Sequence, residues 1–312
     1  MSQRECMVFY SGPDEFAPWK TAIEAELPDL DVLQAHEISD PAAVRYALVW
    51  KPPEGFFAAY PNLRLVVNLG AGVDSLVGRT DLPDVPITRL SDPMMARMMA
   101  GFVLFAVLRH AREIPVFERA QRRREWHYVH PTSAEDIRVG IMGLGELGAA
   151  AAMECARQGF DVRGWSRSPK ALEGVACVSG MEALPGFLAS TDILVCMLPL
   201  TPETRGLLDA HTLALLPDGA KFVNVSRGAV VDEPALVEAL RSRRIADATL
   251  DVFENEPLPS QSPLWDLDNV LITPHLASVA LPRSAAPQIV ENIRRVRCAE
   301  PVKSLVDPRR GY

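Results

Sequence analysis

Apolar and polar positions follow three successive rhythms along this chain. Up to about residue 91, short apolar runs (CMVFYS, YALVW, LRLVVNL and PITRL) separate helical or turn segments, which predicts a small parallel sheet. The stretch Asp92 to Arg119 breaks that rhythm. It opens on Ser-Asp-Pro, a helix start signal, and then stays apolar nearly all the way round, which predicts one long buried helix. From Ile137 onward strand-like and helix-like runs alternate again through RVGIM, DVRGWS, TDILVCMLP, GAKFVNVS, ADATLDV and NVLITPH, predicting a doubly wound sheet of about six strands. Pro282 to Arg297 reads as an amphipathic helix that returns the chain to its first part. A chain of 312 residues exceeds a comfortable single core, so two domains are expected: 1–95 completed by 282–312, and 96–281.

The second domain carries the most informative run, IRVGIMGLGELG at Ile137 to Gly148, followed at once by helix-prone AAAAMECARQG. A strand, a Gly-x-Gly-x-x-Gly turn and a helix start seat the pyrophosphate of a dinucleotide. Gly143 permits the turn, Gly145 lets the backbone approach the phosphates, and Gly148 lets the helix pack closely on the strand. Leu144, Glu146 and Leu147 complete this loop, and its free N–H groups and positive helix end face the anion.

An NAD site asks for an acid about 20 residues further on, to bond the ribose 2′-hydroxyl. Here the next strand runs instead into Ser166, Arg167, Ser168, Pro169 and Lys170. Two hydroxyls and two cations suit a 2′-phosphate, which Arg meets in a bidentate, charge-assisted way. NADPH is therefore expected to be preferred, with NAD possible; the alternative for the same run is a solvated basic loop.

Composition narrows the rest. A net charge of -8 offers no general attraction to nucleic acid or to an anionic membrane, so a small-molecule protein is expected. Cys6, Cys155, Cys177, Cys196 and Cys298 are scattered and include no Cys-x-x-Cys, which predicts reduced thiols and a cytoplasmic location. MSQRECMVFYSG lacks a long apolar signal core, and no apolar run elsewhere is expected to reach membrane-spanning length. His127 and His130 lack further ligands at metal spacing, so no metal is expected, and Arg122-Arg123-Arg124 reads as a solvated helix end.

Three polar residues follow strands of the second domain, where open α/β sheets place their ligands: Arg227 after KFVNVS, Glu256 in the loop after DATLDVF, and His275 ending VLITP. Singly, each has a plain reading as an Arg capping a sheet, a solvated Glu, or a His satisfied by a carbonyl. Jointly, GLGELG, NVSRGAVVDEPAL, LDVFENEPLP and ITPH resemble the D-isomer-specific 2-hydroxyacid dehydrogenase family, in its order and with comparable gaps, over essentially the whole chain. GWSRSPK, DVFENEPLPSQSPLW, ALVWKPP, NLGAGVDSL and the DPRRGY ending are closest to its glyoxylate/hydroxypyruvate reductase A branch.

The resemblance implies a Rossmann-type domain, a smaller flavodoxin-like substrate domain, and a hydride-transfer site. Arg227 would hold the carboxylate of a 2-oxo acid and polarise its keto oxygen. His275 would be the general acid in reduction, with Glu256 pairing to it, orienting its ring and favouring its protonated form. Asp251 matches the family residue that contacts the nicotinamide carboxamide, and Leu198, Pro199, Thr204, Val225 and Ser226 are further implied cofactor contacts. The turn Leu69-Gly70-Ala71-Gly72-Val73 could grip the substrate carboxylate through backbone N–H groups, a plain βα turn being the alternative. Trp50 and Trp126 are candidate aromatic walls or lids.

Two positions depart from the common pattern: Arg97 stands where many relatives have an acid, and SVAL at 278–281 lacks the Thr often found after the family's His. The resemblance also implies a homodimer that buries the long apolar helix. Two other functions stay open at this point: a reductase of a bulkier 2-oxo acid, and a dinucleotide-sensing binding protein like the corepressors that share this fold.

Overall fold

The computed structural model describes residues 4–307; of the DPRRGY ending, all but Asp307 lies outside the described residues. The chain divides into two compact units, Met1–Met95 with Val279–Tyr312, and Ala96–Ser278.

In the first unit, β1 (Glu5–Tyr10), β2 (Leu30–Gln34), β3 (Val44–Val49), β4 (Leu65–Asn68) and β5 (Ile87–Thr88) pair in parallel, in the order β2-β1-β3-β4-β5. This is the flavodoxin-like order, with its switch point between β1 and β3. The residues that follow β3, beginning with Trp50, therefore leave from the edge where such sheets bind ligands. Helix α1 (Phe16–Glu26) buries Trp19 and Ile23, and the helix Pro282–Arg297 packs against it, as the amphipathic pattern predicts. Strand β2 was not among the expected runs. Its sequence LDVLQ carries an acid and a Gln, and only Leu30 and Val32 of it are buried, too little for an apolar run to stand out.

The segment expected as one long helix forms two, α2 (Pro93–Ala111) and α3 (Ile114–Arg123). Asp92 starts α2 by accepting the Met94 N–H at 2.8 Å. Glu113 interrupts the run at φ 53, and Pro115, which cannot continue a helix from behind, opens α3. Contrary to the expectation from the apolar runs, α2 is long and apolar enough by length and composition to cross a membrane; half of that stretch is buried in the structure. Its end is pinned by His110, fully buried, whose Nε2 lies 3.0 Å from Thr249 Oγ1. Burial, then the nearby cations Arg109 and Lys221, push the His110 pKa down to about 3, so the ring stays neutral.

The second unit holds β6 (Arg138–Met142), α4 (Glu146–Arg157), β7 (Asp161–Ser166), β8 (Ala176–Ser179), α5 (Leu184–Ala189), β9 (Ile193–Cys196), α6 (Ala210–Leu213), β10 (Ala220–Asn224), α7 (Glu233–Arg241), β11 (Ile245–Leu250) and β12 (Val270–Ile272). All strands are parallel, in the order β12-β11-β10-β9-β6-β7-β8. That is a doubly wound sheet whose switch point lies between β6 and β9. It has seven strands rather than about six. The extra one, β8, is an edge strand with no buried position, so it leaves no apolar signature. The strands β6, β9 and β10 are near-continuous apolar runs because helices cover both faces of the sheet.

Candidate active site and dinucleotide cradle

The glycine turn sits at the switch point. Gly143 adopts φ +102, and a Cβ there would come within 2.7 Å of the Met197 carbonyl oxygen on the neighbouring strand's exit. A Cβ on Gly148 would stand 1.8 Å from the Gly143 carbonyl oxygen, so α4 packs on the turn only because this position has no side chain. Gly145 is different: its Cβ would point into open space. It is the N-cap of α4, with no side chain capping the first turn. Main-chain N–H groups at the start of a twelve-residue helix thus border open space, the arrangement a pyrophosphate needs.

At the end of β7 the buried Ser166 donates its hydroxyl to the Ser168 carbonyl at 2.8 Å, folding the chain back and leaving Arg167, Ser168 and Lys170 exposed. Arg167 lies close enough to Glu203 to help hold that carboxyl below its ordinary range, after the larger effects of the Thr201 hydroxyl and Glu203's own backbone. The loop after β9 is tied by Thr204, whose Oγ1 donates to the Pro199 carbonyl at 2.6 Å and accepts the Thr201 N–H at 2.8 Å. Leu198, Val225 and Ser226 are buried at the same strand ends, and Pro199 is exposed.

The three polar residues leave from consecutive strands, β10, β11 and β12, paired in parallel so that Asn224 lies opposite Leu250 and Leu250 opposite Ile272. His275 Nδ1 is 2.8 Å from Glu256 Oε2, both side chains being about one quarter exposed or less. His275 holds φ 55, an unusual backbone state for a residue with a side chain, fixed by its N–H donating to the Asp251 carbonyl at 2.8 Å. The Glu256 loop is braced by Oε1 accepting the Phe253 N–H at 3.2 Å. It also passes against the Arg227 turn so closely that a Cβ on Gly228 would lie 1.8 Å from the Phe253 backbone carbon. Arg227 and Glu256 are therefore held in adjacent, interlocked loops. The Arg227 guanidinium is partly buried and donates through Nη1 to the Ser226 carbonyl at 2.7 Å.

Two buried residues shape these loops: Asn224, which the sequence reading did not single out, and Asp251, which it named only as a cofactor contact. Asn224 accepts the Ser226 N–H and hydroxyl on Oδ1 at 3.1 and 2.9 Å and donates Nδ2 to the Arg227 carbonyl at 3.3 Å, folding the turn that carries the arginine. Asp251, 1% exposed, accepts the Thr273 hydroxyl at 2.6 Å, the Leu276 N–H at 2.9 Å and the Ala277 N–H at 2.8 Å, so its carboxylate clasps the loop on either side of His275. A polar residue ending an apolar strand is the signal that could have found Asn224.

Within the first unit, Trp50 and the glycine turn lie together: a Cβ on Gly70 would be 2.5 Å from Trp50 Cζ3. Lys51 Nζ stands 5.7 Å from the Trp50 ring centroid. Leu69 and Gly70 are buried, and Ala71 and Gly72 are partly exposed. Trp126, on the segment after α3, is fully exposed and lines a surface cavity of about 340 Å³ with Phe117, Tyr128 and His130. Arg97 is exposed on α2.

Residues 104–277 match the model of the D-isomer specific 2-hydroxyacid dehydrogenase NAD binding domain. The chain is 38% identical to a glyoxylate/hydroxypyruvate reductase A from Yersinia enterocolitica, over 98% of this chain and 99% of the relative. Among solved structures, it is similar to a D-isomer specific 2-hydroxyacid dehydrogenase from Xanthobacter autotrophicus Py2 in complex with NADPH and MES. That pair has a TM-score of 0.95 and 68% identity, covering 99% of this chain and 100% of the other. It is also similar to an NADPH-dependent glyoxylate/hydroxypyruvate reductase from Sinorhizobium meliloti in complex with NADP and sulfate. Here the TM-score is 0.92 and the identity 35%, covering 99% and 100% of the two chains.

Proposed function

The chain belongs to the D-isomer specific 2-hydroxyacid dehydrogenase family of NAD(P)-dependent oxidoreductases, and on that premise we propose that it reduces small 2-oxo acids with NADPH, glyoxylate to glycolate and hydroxypyruvate to D-glycerate. The observation that carries this reading is the Glu256–His275 pair at 2.8 Å, held beside the Arg227 turn at the ends of three neighbouring strands.

NADPH, when bound, supplies the hydride; the turn Gly143 to Gly148 would hold its pyrophosphate, and Ser166, Arg167 and Ser168 its 2′-phosphate. The chain's own residues do the rest. Arg227 pairs with the substrate carboxylate and draws charge onto the keto oxygen, for which a planar fork of N–H donors is suited. His275 uses Nδ1 on Glu256, so Nε2 is the atom that delivers a proton to that oxygen and takes it back in oxidation. Glu256 acts through the ring, fixing its orientation. Asp251 keeps the His275 loop in place. In the first unit, the Leu69–Val73 turn and Trp50 are the segments assigned to the substrate.

Purified protein mixed with NADPH and glyoxylate, followed by nicotinamide absorbance, should consume the cofactor. Consumption only with a phenylpyruvate-like acid would transfer the reading to bulkier substrates, and no consumption with any 2-oxo acid would leave a dinucleotide-binding protein. The working form is a homodimer, supported by Phe105, Leu108, Ile114, Trp126 and Tyr128, large apolar side chains exposed on α2, α3 and the segment that follows. Light scattering that gives a monomer at micromolar concentration would refute that. Five free cysteines support a reducing, cytoplasmic setting.

A further inference from the structure

We infer that Asn68 is a positioning residue for the substrate: it holds the Leu69–Val73 turn with its carbonyls inward, so that three successive N–H groups are presented to a carboxylate. This deepens the 2-oxo acid reading and rests on it. Asn68 is the last residue of β4 and is fully buried. Its Nδ2 donates to the Gly70 carbonyl at 3.0 Å and to the Gly72 carbonyl at 2.8 Å. The Leu90 N–H adds a second bond to the Gly70 carbonyl at 3.1 Å. Among the described residues, no acceptor takes the N–H of Gly70, Ala71 or Gly72. With the carbonyl side of the turn occupied, the donor side is what remains, and successive backbone N–H groups in a turn make an anion-binding concavity.

The other half of the same amide sharpens the point. Asn68 Oδ1 is buried and has no hydrogen-bond partner. A buried unpaired acceptor costs stability, so a leucine of similar shape would relieve the fold of that cost. What the amide does here is confined to its nitrogen, and the nitrogen serves only the two glycine carbonyls. Asn224 is the contrast, since it ends a strand in the same way but uses both its oxygen and its nitrogen. Asn68 touches no reacting atom; its effect passes through the turn.

The test uses the full-length protein and two substitutions, Asn68→Leu and Asn68→Asp. Each should raise KM for glyoxylate about ten- to hundredfold while kcat stays within about threefold, the signature of lost uniform binding. NADPH affinity should be unchanged, and the affinity for oxalate, a carboxylate probe that needs no turnover, should fall by the same factor as KM rises. Thermal stability of Asn68→Leu should not fall in step with KM. In the parent protein, oxalate should shift the amide signals of Gly70, Ala71 and Gly72 in a nitrogen–proton correlation spectrum, a measurement that decides the matter even where a variant fails to fold. Parental KM and oxalate affinity in the folded variants, or unmoved Gly70–Gly72 amides in the parent, would overturn the role of Asn68. A parent that binds oxalate at these amides yet oxidises no NADPH with any 2-oxo acid would instead sink the functional reading.

Discussion

Two of the glycine turns that follow parallel strands, Leu69–Val73 and Gly143–Gly148, are built by opposite means. In the Gly143–Gly148 turn the main-chain donors come from the start of a helix, and steric contact sets the shape: one glycine at φ +102, another with no room for a single carbon. In the Leu69–Val73 turn no helix follows, and a buried side-chain amide gathers the carbonyls instead. A helix start receives an anion by repeating a general geometry, so it writes a motif into the sequence. A side-chain clamp needs only one asparagine, which looks like any other.

The largest effect should fall on the steric turn. Gly148→Ala drives a carbon into the Gly143 carbonyl oxygen, backbone against backbone at 1.8 Å, with no flexible group to yield. Overpacking of this kind costs about 1 to 3 kcal/mol, and NADPH affinity should fall by about a hundredfold or more as the turn opens. Gly145→Ala places its carbon in open space, so it should leave thermal stability unchanged and weaken NADPH binding alone. Thermal unfolding with a cofactor titration separates the two. Equal behaviour of both variants would mean that the turn is not the cradle.

Next in size is the proton donor. His275→Gln should lower kcat by roughly a hundredfold or more while NADPH binds as before, because general acid catalysis acts only in the transition state. Glu256→Gln should lower kcat by less than His275→Gln does, with NADPH binding again unchanged. Without the carboxylate 2.8 Å away the ring loses the group that fixes its orientation, so glyoxylate reduction and the reverse oxidation should slow together. Parental kcat for reduction in both variants would withdraw the proton-transfer assignment.

Cofactor choice is a smaller effect. Arg167→Ala should weaken NADPH by about 1 to 3 kcal/mol, the scale of one hydrogen bond to a charged group, and leave NADH nearly alone. Steady-state kcat/KM for the two cofactors measures it, and an equal loss for both would remove Arg167 from the 2′-phosphate site.

What the sequence made legible divides along the same line as the two turns. The doubly wound sheet, the glycine turn at its switch point and the positions of the residues after β10, β11 and β12 were readable because apolar runs and main-chain geometry repeat across proteins. The strands that escaped, β2 and β8, are edges with few or no buried positions. The break at Glu113 fell inside the stretch expected as one helix, although Pro115 two residues later marked it. Asn68, Asn224 and the clasp of Asp251 were not readable, since each depends on which carbonyl or N–H a strand-ending polar side chain meets after folding.

The smallest effect probes the clamped turn from its apolar side. A carbon added at Gly70 meets the edge of the Trp50 ring at 2.5 to 3.3 Å, and the backbone φ there is not in the left-handed region, so the nearest obstacle is the indole. Unlike the oxygen facing Gly148, a ring can tilt. Gly70→Ala should therefore cost little stability, about 1 kcal/mol or less, and raise KM for glyoxylate only a few-fold, with NADPH affinity unaltered. Trp50→Phe removes the part of the ring that is struck, so the double variant Gly70→Ala, Trp50→Phe should lie closer to Trp50→Phe alone than additivity allows. Contacting residues show such coupling and independent ones do not. Strict additivity in KM would mean that Trp50 and the turn act separately, and the substrate segment of the first unit would reduce to the clamped main chain.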